Sequence, residues 1–238
     1  MSHAPNPDPK RNRARELAQA HVARGDAVGW FEPLYAEAQG NADRVPWADR
    51  KPNPNLIEWL DRESIRGEGR SALVVGCGLG DDAELLASRG FRVTAFDVAP
   101  SAVAWCRQRF PTSSVRYETA DLLNPPQSWS GAFNFVFEAY TLQVLHAAAM
   151  RSQAISRLAA FSSPGGTLLV ICRGRDPVDP EGQMPWPLLR DELTGLEKCG
   201  LVQIEFEDFW DQHEAPPVRR FRARYSRPAG AATTADNP

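Results

Sequence analysis

Glycines at 76, 78 and 80 alternate through the run Ala72-Leu-Val-Val-Gly-Cys-Gly-Leu-Gly-Asp-Asp82, and Arg92-Val-Thr-Ala-Phe-Asp97 follows as a second apolar run ending on an acid. Glycine lets a chain turn tightly and approach a ligand where a Cβ would clash. An Asp at the tip of the next strand can accept hydrogen bonds from both hydroxyls of a ribose. The pattern therefore predicts a nucleotide-type cofactor site built from Gly76, Cys77, Gly78, Gly80, Asp97 and Val98. A dinucleotide fingerprint has its third glycine three residues after the second, whereas here the spacing is two. Asp81 and Asp82 open the following helix, where a pyrophosphate would otherwise sit on the N-terminus. Two carboxylates there suit a cofactor with no phosphate and a positive centre.

Further acids follow later apolar runs. Asp121 is placed to accept from an adenine amino group, with Leu122 offering a backbone N–H. Glu138 is expected near the positive centre, with Tyr140 beside it as the candidate catalytic residue. Cys77, Cys106, Cys172 and Cys199 form no Cys-x-x-Cys pair, so neither a disulfide framework nor a zinc site is expected, and Cys77 reads as a small packing residue. No metal is expected. The formal net charge of −3 gives no long-range attraction to nucleic acid or to an anionic membrane. No apolar run approaches the ~20 residues of a membrane span, and no secretory signal is evident. A cytoplasmic monomer or homodimer acting on a small molecule is the expectation.

The elements that must position these residues alternate between strand and helix. Strands are expected at 73–75, 92–96, 115–118, 133–137 and 167–171, with helices at 82–88, 102–109, 147–161 and 188–198. Such alternation implies parallel crossovers and a doubly wound α/β sheet. Residues 202–209 and 219–225 have no helix between them and read as a closing antiparallel hairpin, giving seven strands. The basic run Arg219-Arg-Phe-Arg-Ala-Arg224 is read there as a solvated edge. Helices are expected at 15–24, 30–39 and 56–60, forming a lid over residues 15–60 of a single domain spanning 15–227. The arm 1–14 and the tail 228–238, rich in Pro, Asn, Arg, Ala and Thr, are expected to be disordered.

The glycine loop with its acid after the second strand resembles class I S-adenosylmethionine (SAM) methyltransferases. Gly29-Trp30 and Val45-Pro-Trp-Ala-Asp49 are similar to N-terminal elements of the thiopurine, thiol and halide methyltransferase group. Met184-Pro-Trp-Pro187 is similar to that group's proline-rich segment. The resemblance implies a Rossmann-like fold, SAM as cofactor, and Trp30 and Trp47 covering it; an insertion-like stretch at 36–44 separates the two. An aromatic face attracts a sulfonium.

Methyl transfer from a sulfonium chiefly requires a nucleophile held in line, and positioning can supply ~7–11 kcal/mol. A thiol or related soft anion is the expected acceptor, with Tyr140, Arg173 and Trp186 in its pocket and Arg175 nearby. Competing readings are an O- or N-methyltransferase using His146 as base, a non-catalytic SAM-binding protein, and a nicotinamide oxidoreductase disfavoured by the glycine spacing.

Overall fold

The near-continuous apolar runs of the central strands bury both of their faces, so helices must cover the sheet on each side. A computed structural model of the protein describes residues 9–229. Three helices come first: α1 (Pro9–Val22), α2 (Phe31–Ala38) and α3 (Pro54–Arg62). The alternating region follows as β1 (Ser71–Val75), α4 (Asp81–Ser88), β2 (Arg92–Asp97), α5 (Pro100–Arg109), β3 (Arg116–Thr119), β4 (Phe133–Ala139), α6 (Ala148–Phe161) and β5 (Ser162–Arg175). The chain closes with β6 (Leu188–Leu189), α7 (Arg190–Leu193), α8 (Gly195–Lys198), β7 (Val202–Asp211) and β8 (Val218–Ser226).

Strand order is β3-β2-β1-β4-β5-β8-β7, with the two-residue β6 pairing β5 off this path. The first five strands are parallel, and β8 runs antiparallel to both β5 and β7. This is the doubly wound sheet closed by an antiparallel hairpin. Leu73, Val75, Val136, Leu168 and Val170 point to the α6 side, and Ala72, Val74, Phe135, Phe137 and Leu169 to the side packed by α3 and α4. Strand order reverses between β1 and β4, and a ligand crevice forms at such a switch point beyond the carboxyl ends.

Four expectations are corrected. The region from Pro9 to Ala14 is helical, as the first turns of α1. Residues 1–8 and 230–238 lie outside the described residues. The helix expected over 188–198 is a short strand followed by two single-turn helices that meet at Thr194 and Gly195, where a Cβ on Gly195 would come 3.1 Å from Ile155. The strand expected at 167–171 begins at Ser162, and its pairing with β4 carries an irregularity between Phe133 and Phe135.

The fourth concerns the arginine run. β8 lies inside the sheet, between β5 and β7, and β7 is the edge. Arg220 and Arg222 are almost completely buried. Each arginine of β8 faces acids: Arg219 meets Asp176 and Asp208, and Arg220 meets Asp211 and Glu214. Arg222 meets Glu58 and Glu207, and Arg224 meets Glu63 and Glu205. The run is an internal ion-pair ladder that fastens the hairpin to α3. Burial would raise the carboxyl pKa of Glu207, but the guanidinium groups of Arg222 and Arg62 outweigh it and hold it down to about 2.

Breaking a buried pair leaves a charge uncompensated, at a cost of ~3–5 kcal/mol. Glu207 is partly exposed, so Arg222→Met is expected to lose roughly 3 kcal/mol, the low end of that range, in urea denaturation. Wild-type stability would show that the ladder contributes nothing.

Candidate active site

The glycine loop connects β1 to α4 with all three glycines in the left-handed region, at φ +60°, +53° and +89° for Gly76, Gly78 and Gly80. A Cβ on Gly76 would meet Thr141 Oγ1 at 2.3 Å, which excludes any side chain there. At Gly78 a Cβ would project toward the phenol of Tyr35, 3.3 Å away, and toward Trp47. Gly78 thus faces a space that its missing side chain keeps open.

That space is a crevice of about 520 Å³ over the strand ends. Asp97 is buried beside it, with Oδ2 accepting from Gly78 N and Oδ1 from Ala99 N, both at 3.0 Å. Burial pushes its carboxyl up to about 6, against the lowering effect of those N–H groups. Gly76, Cys77, Gly78, Asp97, Val98, Asp121 and Leu122 all line the crevice. Gly80 lies behind it, packed against the phenol of Tyr117. Asp121 Oδ1 accepts from Leu123 N at 2.8 Å, which fixes the turn after β3. The Cys77 thiol is pushed up by hydrogen bonding to Cys106 and by burial, which suits a packing role.

Aromatic residues of the N-terminal region close one side. Trp30 is fully buried, stacks on Phe31 at 3.8 Å and donates from Nε1 to Ala27 O. Trp47 is 37% exposed, and its Nε1 donates to the Tyr35 hydroxyl at 2.7 Å. Both line the crevice despite the stretch between them, because α2 brings Trp30 edge-on to Trp47 at 6.0 Å.

At the far end Tyr140 sits at φ +67°, a conformation that costs a non-glycine residue energy and clusters at functional positions. Its hydroxyl accepts from Asn53 Nδ2 at 3.2 Å, and the Arg220 guanidinium lies 4.6 Å from its ring centroid. Burial raises its phenol pKa, and Arg220 opposes that rise. Arg173 also lines this end.

Other assignments are corrected. Glu138 is fully buried and does not line the crevice. Its Oε1 accepts from Thr141 N and Leu142 N at 2.6 and 3.0 Å, so it braces the chain leaving β4, and burial lifts its carboxyl to about 7. Trp186 is outside the lining because its ring packs on His146, at 4.6 Å, which also removes His146 from the crevice; Met184 and Pro185 face inward instead. Arg175 is turned away, bonded to Pro187 O and Asp179 O. The acidic pair is split. Asp81 forms a two-pronged pair with Arg109, whereas Asp82 accepts from Asn53 N at 2.7 Å and is raised to about 6 by burial. The pair therefore does not present two free charges to a ligand.

Sequence reasoning missed Asn53, Gln143, His213 and Arg220, which line the crevice from loops and from β8. Asn53, the N-cap of α3, could have been found from Asn-Pro at the start of a helix. Among the described residues no cluster of His, Cys, Asp and Glu could hold a metal, and no helix is long and apolar enough to cross a membrane.

Residues 72–166 match the family described as a methyltransferase domain. A "Probable S-adenosylmethionine-dependent methyltransferase" of Mycolicibacterium smegmatis is 29% identical over 69% of this chain and 67% of its own length. "Probable thiol methyltransferase 2" of Arabidopsis thaliana is 27% identical over 66% of this chain and 67% of its own. A ubiquinone biosynthesis O-methyltransferase of Azotobacter vinelandii is 31% identical over 55% and 59%. In fold, the chain superimposes on a Burkholderia thailandensis 1,6-didemethyltoxoflavin-N1-methyltransferase with bound S-adenosylhomocysteine. The TM-score is 0.64, with 17% identity over 95% of this chain and 93% of that one. The glycine loop, the acid after β2 and these matches agree: the chain is a SAM-dependent methyltransferase of the class I fold.

Asp97→Ala is expected to weaken S-adenosylhomocysteine binding at least about tenfold, or ~1.4 kcal/mol. In the wild type, affinity should fall as the pH drops through about 6 and the carboxylate takes up a proton. Asp97→Asn should reduce that slope. Unchanged affinity of Asp97→Ala in calorimetry would remove Asp97 from the cofactor site. Trp47→Ala should depress methyl transfer while leaving the circular dichroism spectrum intact; full turnover would place Trp47 outside the site.

Proposed function

We propose that the enzyme methylates a small-molecule thiol or related soft anion. When bound, SAM supplies a methyl group already activated on a sulfonium. In this reading Asp97 accepts from the ribose hydroxyls, Asp121 and the Leu122 N–H take the adenine, and Trp30 and Trp47 cover the cofactor. The open face of Trp47 is the better placed to attract a sulfonium, since Trp30 is already stacked on Phe31. Tyr140, Met184 and Pro185 form the acceptor's walls.

One observation carries the reading: the carboxylates around the acceptor end are already engaged. Asp82 serves Asn53, and Asp211 and Glu214 serve Arg220. A hydroxyl or ammonium acceptor needs a base to remove its proton, whereas a thiol ionises close to neutrality. Arginines nearby favour that ionisation. Charge is neutralised as a thiolate attacks a sulfonium, and a water-poor crevice favours that step. The similarity to a plant protein named as a thiol methyltransferase agrees.

A second reading, O-methyl transfer, draws on the similarity to ubiquinone biosynthesis O-methyltransferases and on His213, an imidazole at the crevice that could act as base. Labelled SAM offered with matched thiols, phenols and amines separates the two. A thiol should exceed the others by at least about tenfold in kcat/KM, a margin that ~1.4 kcal/mol of differential transition-state binding supplies. A preferred phenol whose methylation is lost in His213→Ala would overturn the thiol assignment.

A further inference from the structure

The antiparallel pairing of β5 with β8 sets Arg173 directly opposite Arg220. Like charges at facing positions repel and destabilise a sheet, so the pair is poorly explained as a stability device. The two arginines are also compensated unequally. Arg220 is held by Asp211 at 3.3 Å and by a close contact to Glu214, and it lies over Tyr140. Among the described residues, the only carboxylate within ion-pair distance of Arg173 is Glu214, at 4.0 Å and already committed to Arg220. The Arg173 side chain is only 22% exposed. Burial, and then the charge of Arg220, push its pKa down, the mark of a cation short of counter-charge.

Gln143 gives a second, independent sign. It is fully buried and lines the same end of the crevice. Its Oε1 accepts from Arg173 N, which fixes the orientation of the amide, and its Nε2 has no hydrogen-bond partner among the described residues. A buried donor left unmade costs ~1–3 kcal/mol, so the group calls for an explanation, and beside the crevice an acceptor brought by a ligand supplies one.

The geometry points to a carboxylate subsite: the methyl acceptor carries an anionic carboxylate, separate from its nucleophile, that seats on the Arg173 guanidinium and the Gln143 side-chain N–H. This deepens the proposed function and rests on its placing a small acceptor at this end. A planar guanidinium matches a carboxylate with two charge-assisted hydrogen bonds, and the amide adds a donor that water or a neutral amide group would use less well.

The test compares 3-mercaptopropionate with 3-mercaptopropionamide, and 3-(4-hydroxyphenyl)propionate with its amide, on the full-length protein. Methyl transfer is measured from SAM, and binding to the S-adenosylhomocysteine complex by calorimetry. The acid of the reactive pair should exceed its amide at least about tenfold in kcat/KM, the scale of one lost charge-assisted contact. Arg173→Gln should raise KM for the acid by a similar factor, leave S-adenosylhomocysteine affinity near wild type, and remove the preference of acid over amide. Gln143→Glu should do the same by setting like charge against the carboxylate.

Equal use of acid and amide, or a preference that survives in Arg173→Gln, would overturn the subsite. So would weaker S-adenosylhomocysteine binding in Arg173→Gln with the acceptor KM unchanged, which would assign Arg173 to the cofactor's own carboxylate. If only the hydroxyphenyl pair reacts, the thiol reading fails while the subsite is still judged on that pair. If neither acid binds the S-adenosylhomocysteine complex, the subsite itself is wrong.

Discussion

The pair of hydrogen bonds from Gly78 N and Ala99 N to the Asp97 carboxylate ties the glycine loop to the tip of β2. Within the loop Cys77 N donates to Phe96 O and Gly80 N to Cys77 O, while the buried Gly78 N–H finds no backbone acceptor there and must find another. Asp97 fills that need from the neighbouring strand. The same carboxylate borders the crevice, so the group that shapes the loop is also part of the crevice wall. Its burial is what lifts its pKa toward 6.

From that fixed point the crevice changes character along its length. Near the loop lie Asp97 and Asp121 with the aromatic cluster of Tyr35, Trp30 and Trp47; at the far end lie Arg173 and Arg220. Asn53 joins the two, donating from its backbone N–H to Asp82 and from its side-chain Nδ2 to the Tyr140 hydroxyl. A positively charged methyl donor and an anionic acceptor would each find the complementary end. The helical cover from α1 to α3 limits water in between, so these interactions act in a medium where they are stronger than in bulk solution.

Much of the architecture was legible in the sequence because short, strongly patterned strands declare themselves. The five parallel strands, the hairpin and the glycine loop stand where spacing and apolar runs put them. Residues whose role depends on long-range pairing did not. Glu138 follows a strand as Asp97 does, yet it turns inward to hold Thr141 and Leu142, and nothing local distinguishes the two acids. Trp186 lies in a proline-rich segment beside the crevice, but its ring found His146. Gln143 comes from a part of the chain with no motif, and Arg220 from a basic run read as a solvated edge; only the register of β5 against β8 brings Arg220 to the site.

The ion-pair ladder on β8 has a bearing on how such a protein diverges. Arg219, Arg220, Arg222 and Arg224 are each locked to acids on α3, β7 or the loops. Neither member of such a couple can change alone without stranding a charge, but both can be exchanged together for apolar residues at little cost. The closing third of the chain is therefore free to drift by compensated double replacements. Its residue identities can fade while its backbone path persists, in keeping with a family match that ends at residue 166 and a structural likeness that continues over nearly the whole chain.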